Sequence, residues 1–502
     1  MGEIAEIPPS TAATLRLQLA VACLVMFAEG FFFTQMFPFA AHMVGDMRGT
    51  LAHVGLYTGM IYGANSMGAI LSVRAWARAS NKYGLRRCLF TSLTISLIAS
   101  VIVAWTESFP VAFVTLLVRG TVNCNLLITR TGLRKSYHSR GVNDTQAFAS
   151  VSVAFGAACI VGPALGGLLY GLGPSYLRPW TVPMLMGTAT YAVGLLMAAR
   201  FMEEPAGAGS TQAAGKITEM RPLMVLLVLA GGHSYVYTGW ELAYPLLAGM
   251  GTAVDGENWS PADIGSTFMV GSIGLMSFSL LGFAVAARRM GLIRLWVISW
   301  CIATTVLFSF PRVLTAAMSA GLEPKSVWVR VLNYGAQLVI SILLGGNFVT
   351  IQVMVNAYVA TRADGGHVLA LANGWLGSAQ AFVRAASPLT TGSLFTLGVE
   401  SESDHAMFGR SLAFDHLAVI AAVCCIGAAW YLPGWAVEQN QAATKDLKSP
   451  LLQIRETFPV RRYRQPPPQS LGGNWFRQQG NNLKITGRFA VVDGFSTGMA
   501  WC

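Results

Sequence analysis

The chain has 502 residues, 54% of them hydrophobic and only 11% charged, with a formal net charge of +11 and a mean hydropathy of +0.52. A soluble globular protein carries roughly 25% charged residues, so this composition excludes a soluble domain and describes a chain that lives in a bilayer. The basic excess is spread through the short segments between apolar runs, where it acts as an orientation signal, and this excludes nucleic acid as a partner.

Twelve apolar runs are predicted to span, near residues 16–40, 54–76, 88–105, 109–131, 146–171, 181–203, 222–247, 264–286, 292–316, 327–356, 368–398 and 412–434. Each is long enough to cross a hydrocarbon core of about 30 Å at 1.5 Å per residue. Residues 1–15 form a polar N-terminal segment without a cleavable signal, running straight into the first span. That span carries Glu29 within LAVACLVMFAEGFFFTQMFPF. A carboxylate at membrane depth costs at least ~2.5–3.5 kcal/mol on insertion scales, so it faces a partner or a watery cavity.

After span two comes Lys82-Tyr83-Gly84-Leu85-Arg86-Arg87, and after span eight Arg289-Met290-Gly291-Leu292-Ile293-Arg294. A glycine between basic residues makes a tight reversal at each place. Span four holds Arg119. Span five holds Gly156, Gly162, Pro163, Gly166 and Gly167, small residues that let helix backbones approach and a proline that bends the helix.

Residues 204–221 are a polar, Gly/Ala/Ser-rich linker that divides the chain into six-span halves at 16–203 and 222–434. The echo between the two basic-glycine loops supports an internal duplication. Span seven carries His233 and a second deep acid, Glu241, which the Tyr235 and Tyr237 rings are expected to desolvate. Ser260-Pro261-Ala262-Asp263 has the form of a capping box ahead of span eight. Span ten carries Asn347, Gln352 and Asn356, as path-lining groups or as interhelical hydrogen bonds. Span eleven carries Arg384, and residues 435–502 are a polar, Pro-containing tail predicted to be disordered. Of the Lys and Arg in the connecting segments, sixteen fall on the side of the chain termini and six on the other, which places both termini in the cytosol. The eight cysteines lie mostly within spans without ligand spacing, so neither a metal site nor a cofactor is expected.

These residues resemble the major facilitator superfamily. Gly162-Pro163-Ala-Leu-Gly166-Gly167 is similar to a signature of its proton-antiporter branches. The loop after span two resembles the superfamily's Gly-x-x-x-Asp-Arg-x-Gly-Arg-Arg pattern: Gly84 and Arg86 match, whereas Ala77, Asn81, Lys82 and Leu85 replace a Gly, the Asp, an Arg and an Arg. In span four Leu116 stands where the family has Arg, and Arg119 lies directly before Gly120. Phe27-Ala28-Glu29, Gly120-x-x-Asn123-x-Asn125 with Arg130, Glu241-Leu-Ala-Tyr244-Pro245, Asp263-Ile-Gly265, Ala372-Asn373-Gly374 and Arg384 through Pro388 look like the zinc-induced-facilitator-like group of plants and fungi.

The resemblance implies an all-α membrane protein of twelve transmembrane helices in two pseudo-symmetric halves. Spans 1, 4, 7 and 11 then border a central cavity, which brings Glu29, Arg119, Glu241 and Arg384 to it. It implies proton-coupled antiport of a small organic molecule or metal chelate by alternating access, with protons and the lipid bilayer as the other partners. On this reading Glu29 pairs with Arg119, Glu241 carries the proton, and the arginines hold an anionic or zwitterionic ligand group. His233 serves as a relay or as a packed helix residue. The membrane is the plasma or the vacuolar membrane. Two other functions are weighed: a transporter-like receptor without net flux, and an intramembrane enzyme, for which only His233 offers a catalytic group.

Overall fold

The computed structural model describes residues 9–138, 140, 145–204, 221–251, 257–360, 365–400, 409 and 411–432. The expected linker (204–221) and the tail (435–502) lie almost entirely outside these residues, as does Asn356 beyond its backbone. Among the described residues the fold is all helix: α1 (Pro9–Gln35), α2 (Ala40–Arg48), α3 (Val54–Tyr83), α4 (Leu85–Trp105), α5 (Phe109–Val122), α6 (Asn125–His138), α7 (Thr145–Leu169) and α8 (Thr181–Phe201) in the first half. The second half holds α9 (Arg221–Gly249), α10 (Pro261–Ser277), α11 (Phe283–Met290), α12 (Leu292–Ser319), α13 (Val327–Ala360), α14 (Gly365–Glu400) and α15 (Leu412–Tyr431). Setting aside the short α2, and taking α5 with α6 and α10 with α11, these make twelve rods among the described residues, as expected.

Three of the expected spans are interrupted, each for a local reason. Span one stops at Gln35 because Pro38 has no N–H to continue the ladder, and the chain turns over Met36–Phe39 before α2. Span four opens at Asn123, whose extended backbone (φ −71°, ψ 92°) separates α5 from α6 without any proline. Span eight passes through a π-helical turn at Phe278–Gly282.

The two basic-glycine reversals are built alike. Gly84 (φ 91°, ψ 153°) joins α3 to α4 and Gly291 (φ 80°, ψ 154°) joins α11 to α12. Both conformations are closed to residues with a Cβ. The capping box is present: the Ser260 hydroxyl accepts from Asp263 N–H at 3.2 Å, and the Asp263 carboxylate accepts from Ser260 N–H at 3.4 Å.

The halves meet along two seams, α3 against α14 and α7 against α10. Both seams run from the end opposite the glycine turns, called here the far end, toward the middle of the molecule. A methyl group added at Gly59 would collide with the Pro388 carbonyl, and one at Gly55 would lie 2.6 Å from the Gly392 carbonyl. In the other seam Gly167 meets the backbone of Pro261, and Gly265 that of Pro163. The close backbone contacts of both seams thus lie at the far end and toward the middle.

Nine helical stretches among the described residues are long and apolar enough to cross a bilayer. α3, α7 and α14 fall outside that set, the apolar part of α7 among the described residues being the shorter Val153–Leu169.

Within the first half α1 lies on α7, where Gly162 abuts Thr34 and Gly166 abuts the Gln35 carbonyl. Gly166→Ala forces the two backbones apart and is expected to destabilise the fold by about 1–3 kcal/mol. Gly335→Ala on α13, where an added methyl meets nothing within 4 Å, is expected to be neutral or stabilising by up to about 1 kcal/mol through helix propensity. Thermal unfolding of the two variants in the same detergent checks the difference in sign.

Candidate functional site

The two deep acids occupy different kinds of site. Glu29, on α1, is buried against α5, α6 and α8. Its Oε1 accepts from Arg119 Nη2 at 2.7 Å and from Asn123 Nδ2 at 2.5 Å. Its Oε2 accepts from Tyr191 Oη at 2.8 Å and from Asn125 Nδ2 at 3.1 Å. Arg119 in turn donates to Asn65 Oδ1 at 2.7 Å and to the Tyr191 hydroxyl, and its guanidinium lies 4.4 Å from the centre of the Phe32 ring.

The break in span four has its cause here. Asn123 and Asn125 cannot both reach a carboxylate on a neighbouring helix while the chain between them stays helical, so two hydrogen bonds to a buried charge replace the backbone bonds lost. Asn65, Asn123, Asn125 and Tyr191 complete the site, and none had been assigned to it from the sequence. The signal was available, since an amide or phenol deep in a span needs a partner.

Glu241, on α9, is also buried, but it lines a narrow cleft between the halves. Thr34 and Phe37 of the first half face it, with Tyr237, Trp240, Phe268 and Gln337 of the second. Tyr62, on α3, lies close enough to act on the Glu241 charge and donates to the Phe37 carbonyl at 3.2 Å. Trp240 Nε1 donates to Gln337 Oε1 at 2.9 Å, and Gln337 donates to Ser341 Oγ at 3.4 Å, so the polar wall of the cleft comes from α13. Tyr237 borders the cleft as expected. Tyr235 does not: its hydroxyl meets Thr390 and its ring stands edge-on to His416, centroids 5.8 Å apart, because two residues before Tyr237 the helix presents its opposite side, which packs on α14 and α15.

The remaining residues singled out in the sequence are dispersed. His233 is enclosed by Tyr237, Trp296, Trp300 and Phe348, ring centroids 6.0–6.2 Å away, and does not line the cleft. Arg384 is half-buried on α14, near enough to His233 to act on it electrostatically. Asn347 is fully buried on α13, with neither amide atom hydrogen-bonded. The structure thus joins Glu29 to Arg119 and keeps Glu241, His233, Arg384 and Asn347 out of that cluster.

At the turn end, Glu204 beyond α8 supplies the acid that the loop after span two lacks. Its carboxylate accepts from Leu85 N–H at 2.7 Å and Arg86 N–H at 2.8 Å, directly after Gly84, and Arg86 Nη2 donates to the Ala199 carbonyl at 2.9 Å. At the far end Glu400 accepts from His53 N–H at 2.6 Å and lies 2.7 Å from His53 Nδ1, tying the start of α3 to the end of α14.

Glu29→Gln removes the charge opposite a guanidinium that is 1% exposed. A loss of about 3–5 kcal/mol is expected, since an uncompensated buried charge remains. Reduced yield of folded protein and a lowered unfolding temperature are the measurements.

Comparison with known proteins gives a consistent result. The model of a family described as Major Facilitator Superfamily matches residues 14–388. The Arabidopsis thaliana protein ZINC INDUCED FACILITATOR 1 is 21% identical over 453 residues, covering 81% of this chain and 90% of the relative. The efflux pump azaK of Aspergillus niger is 25% identical over 266 residues, covering 51% of this chain and 56% of the pump. Among solved structures, a D-xylose-proton symporter superposes with a TM-score of 0.63 at 13% identity, covering 82% of this chain and 96% of that one.

Proposed function

The chain belongs to the Major Facilitator Superfamily and is a secondary transporter embedded in the membrane, and we propose that it exchanges protons for a small organic molecule or metal chelate. The observation that carries this reading is the placing of Glu241 in a cleft lined by both halves. A carboxylate there is reached by solution from whichever side is open, and it binds or releases a proton as the halves rock. Glu29 is held by four donors and balanced by Arg119, which supports a structural role for this acid. Arg119 spends both terminal nitrogens on Glu29, Asn65 and Tyr191, which supports a structural role for this cation. The substrate class follows the relatives, of which one is a zinc-induced facilitator and another an efflux pump.

Orientation follows from charge. The turn end carries most of the connecting Lys and Arg, so it faces the cytosol together with both chain termini. In this arrangement residues 16–203 and 222–434 are the moving units, and 204–221 is the cytosolic link between them.

Two experiments test the proposal. In proteoliposomes, Glu241→Gln is expected to abolish flux driven by a pH gradient, measured with a panel of radiolabelled small organic ions and metal chelates, while counterflow at equal pH persists. An unchanged response to the gradient removes Glu241 from the mechanism. In sealed, right-side-out vesicles, external protease is expected to leave the 435–502 tail intact, and its digestion from outside reverses the orientation.

A further inference from the structure

The first turn of α3 is capped from the other half. His53, at its N-terminus, holds a left-handed backbone (φ 56°, ψ 25°) and makes no side-chain cap of its own. The open N–H groups at a helix start need acceptors, and a carboxylate suits them because the helix dipole is positive there. α14 supplies two: His53 N–H donates to Glu400 Oε1 at 2.6 Å, and Leu56 N–H to Thr396 Oγ1 at 3.0 Å. Thr396 and Glu400 are four residues apart and so share the face of α14 that packs on α3. The other Glu400 oxygen lies 2.7 Å from His53 Nδ1. One carboxylate of the second half therefore meets both the backbone and the ring of one residue in the first.

Deeper along the same seam the contacts are backbone on backbone, Gly55 at Gly392 and Gly59 at Pro388, and carry no charge. The His53 and Glu400 side chains are 54% and 38% exposed, so protons reach them directly from far-end solution. Histidine is the side chain whose charge changes between about pH 5 and 8. With the proton on, the two residues form an ion pair, and a charge-assisted hydrogen bond is about twice as strong as a neutral one. With it off, the ring is neutral and the backbone bond to Glu400 remains. Charged and titratable groups on the other elements packed against α3 are engaged elsewhere. Arg48 of α2 donates to the Ala52 carbonyl, its guanidinium 3.5 Å from the centre of the Tyr57 ring. Asp46 of α2 accepts from Tyr170 Oη at 3.2 Å, and His42 stands beside the same ring, centroids 6.1 Å apart. Glu107, ahead of α5, accepts from Arg178 at 2.7 Å, and Arg119 of α5 belongs to the Glu29 cluster. Glu241 of α9 acts on Tyr62, nine residues deeper along α3, and Arg384 of α14 lies sixteen residues before Glu400.

We propose that His53 and Glu400 form a pH-sensitive latch between the halves. A proton taken from far-end water by the His53 imidazole fastens α3 to α14, and its return to water loosens the tie and favours opening at that end. Acid on that side therefore holds the far end shut, and the hold is lost as pH rises through the imidazole range. The latch is separate from Glu241, but its part in transport rests on the rocking of the two halves proposed above. On the orientation argued from charge, the compartment sensed is the one away from the cytosol.

Single-molecule fluorescence energy transfer on the full-length protein in lipid nanodiscs tests this without any substrate. The dyes are attached through ketone-bearing residues introduced at Leu51 in the first half and at Val327, where α13 begins, in the second; both positions are exposed. Lowering the pH from about 7.5 to about 5.5 crosses the imidazole range. In the wild type this is expected to reduce the population with a widened far end by about two- to fivefold, the scale of an exposed ion pair. His53→Gln and Glu400→Gln keep hydrogen-bonding atoms at the surface but form no ion pair, so each is expected to lose the response. Glu241→Gln is expected to retain it. A wild-type pH response in His53→Gln overturns the latch, as does a wild type whose far end does not respond to pH. If Glu241→Gln removes the response and His53→Gln does not, the latch fails while the coupling reading stands. If the dye response is as expected but Glu241→Gln leaves pH-driven flux unchanged, the coupling reading fails and the latch stands.

Discussion

The fold depends on backbones touching backbones. In a bilayer, lipid tails are as apolar as leucine, so burying apolar surface does not drive helices together, and close packing and hydrogen bonds must do so. The seams of this molecule show how. At Gly59, Gly166, Gly167, Gly265 and Gly392 the contact on the other side is a main-chain carbonyl. Such seams gain dispersion energy along their length without interlocking side chains, so two helices held this way can tilt against each other. Of these, Gly59, Gly167, Gly265 and Gly392 hold the two halves together at the far end without locking their relative tilt. The His53–Glu400 contact adds a directional tie at the rim of that seam, where solvent is close and a polar contact is weak enough to break.

Charge is distributed with the opposite logic in the two halves. In the first, one carboxylate takes four donors and an arginine takes three oxygen partners, and a helix is broken to make the arrangement possible. Little is left for a substrate to bind, and the cluster works as a pin joining α1, α3, α5, α6 and α8. In the second half Glu241 lies beside a cleft whose polar wall comes from α13. A fixed charge in the first half thus stands against an acid beside a cleft in the second, the contrast on which the proposed coupling role of Glu241 rests.

Composition and period were sufficient for much of this. Runs of about twenty apolar residues have one solution in lipid, a helix across it, because every backbone group must be satisfied within the segment. The two basic-glycine turns, the capping box at Ser260 and the division into halves were legible for the same reason: each is a local event, decided by residues a few positions apart. The acids were also legible, since a carboxylate in an apolar run is conspicuous.

What the tertiary structure alone decided is how those conspicuous residues are partnered. No local rule places Asn123 and Asn125 on Glu29, for the two amides and the carboxylate are nearly a hundred residues apart and the helix must open for them to meet. Helix period separates Tyr237, one turn before Glu241 on the same face, from Tyr235, but which face meets the cleft and which meets α14 depends on the path of the helices around them. The acid absent from the loop after span two was likewise supplied from far along the chain, by Glu204. The sequence determined which groups need partners in a medium that offers none; only the packing of twelve helices decided which partners they found, since that choice is made by distances that span spacing does not contain.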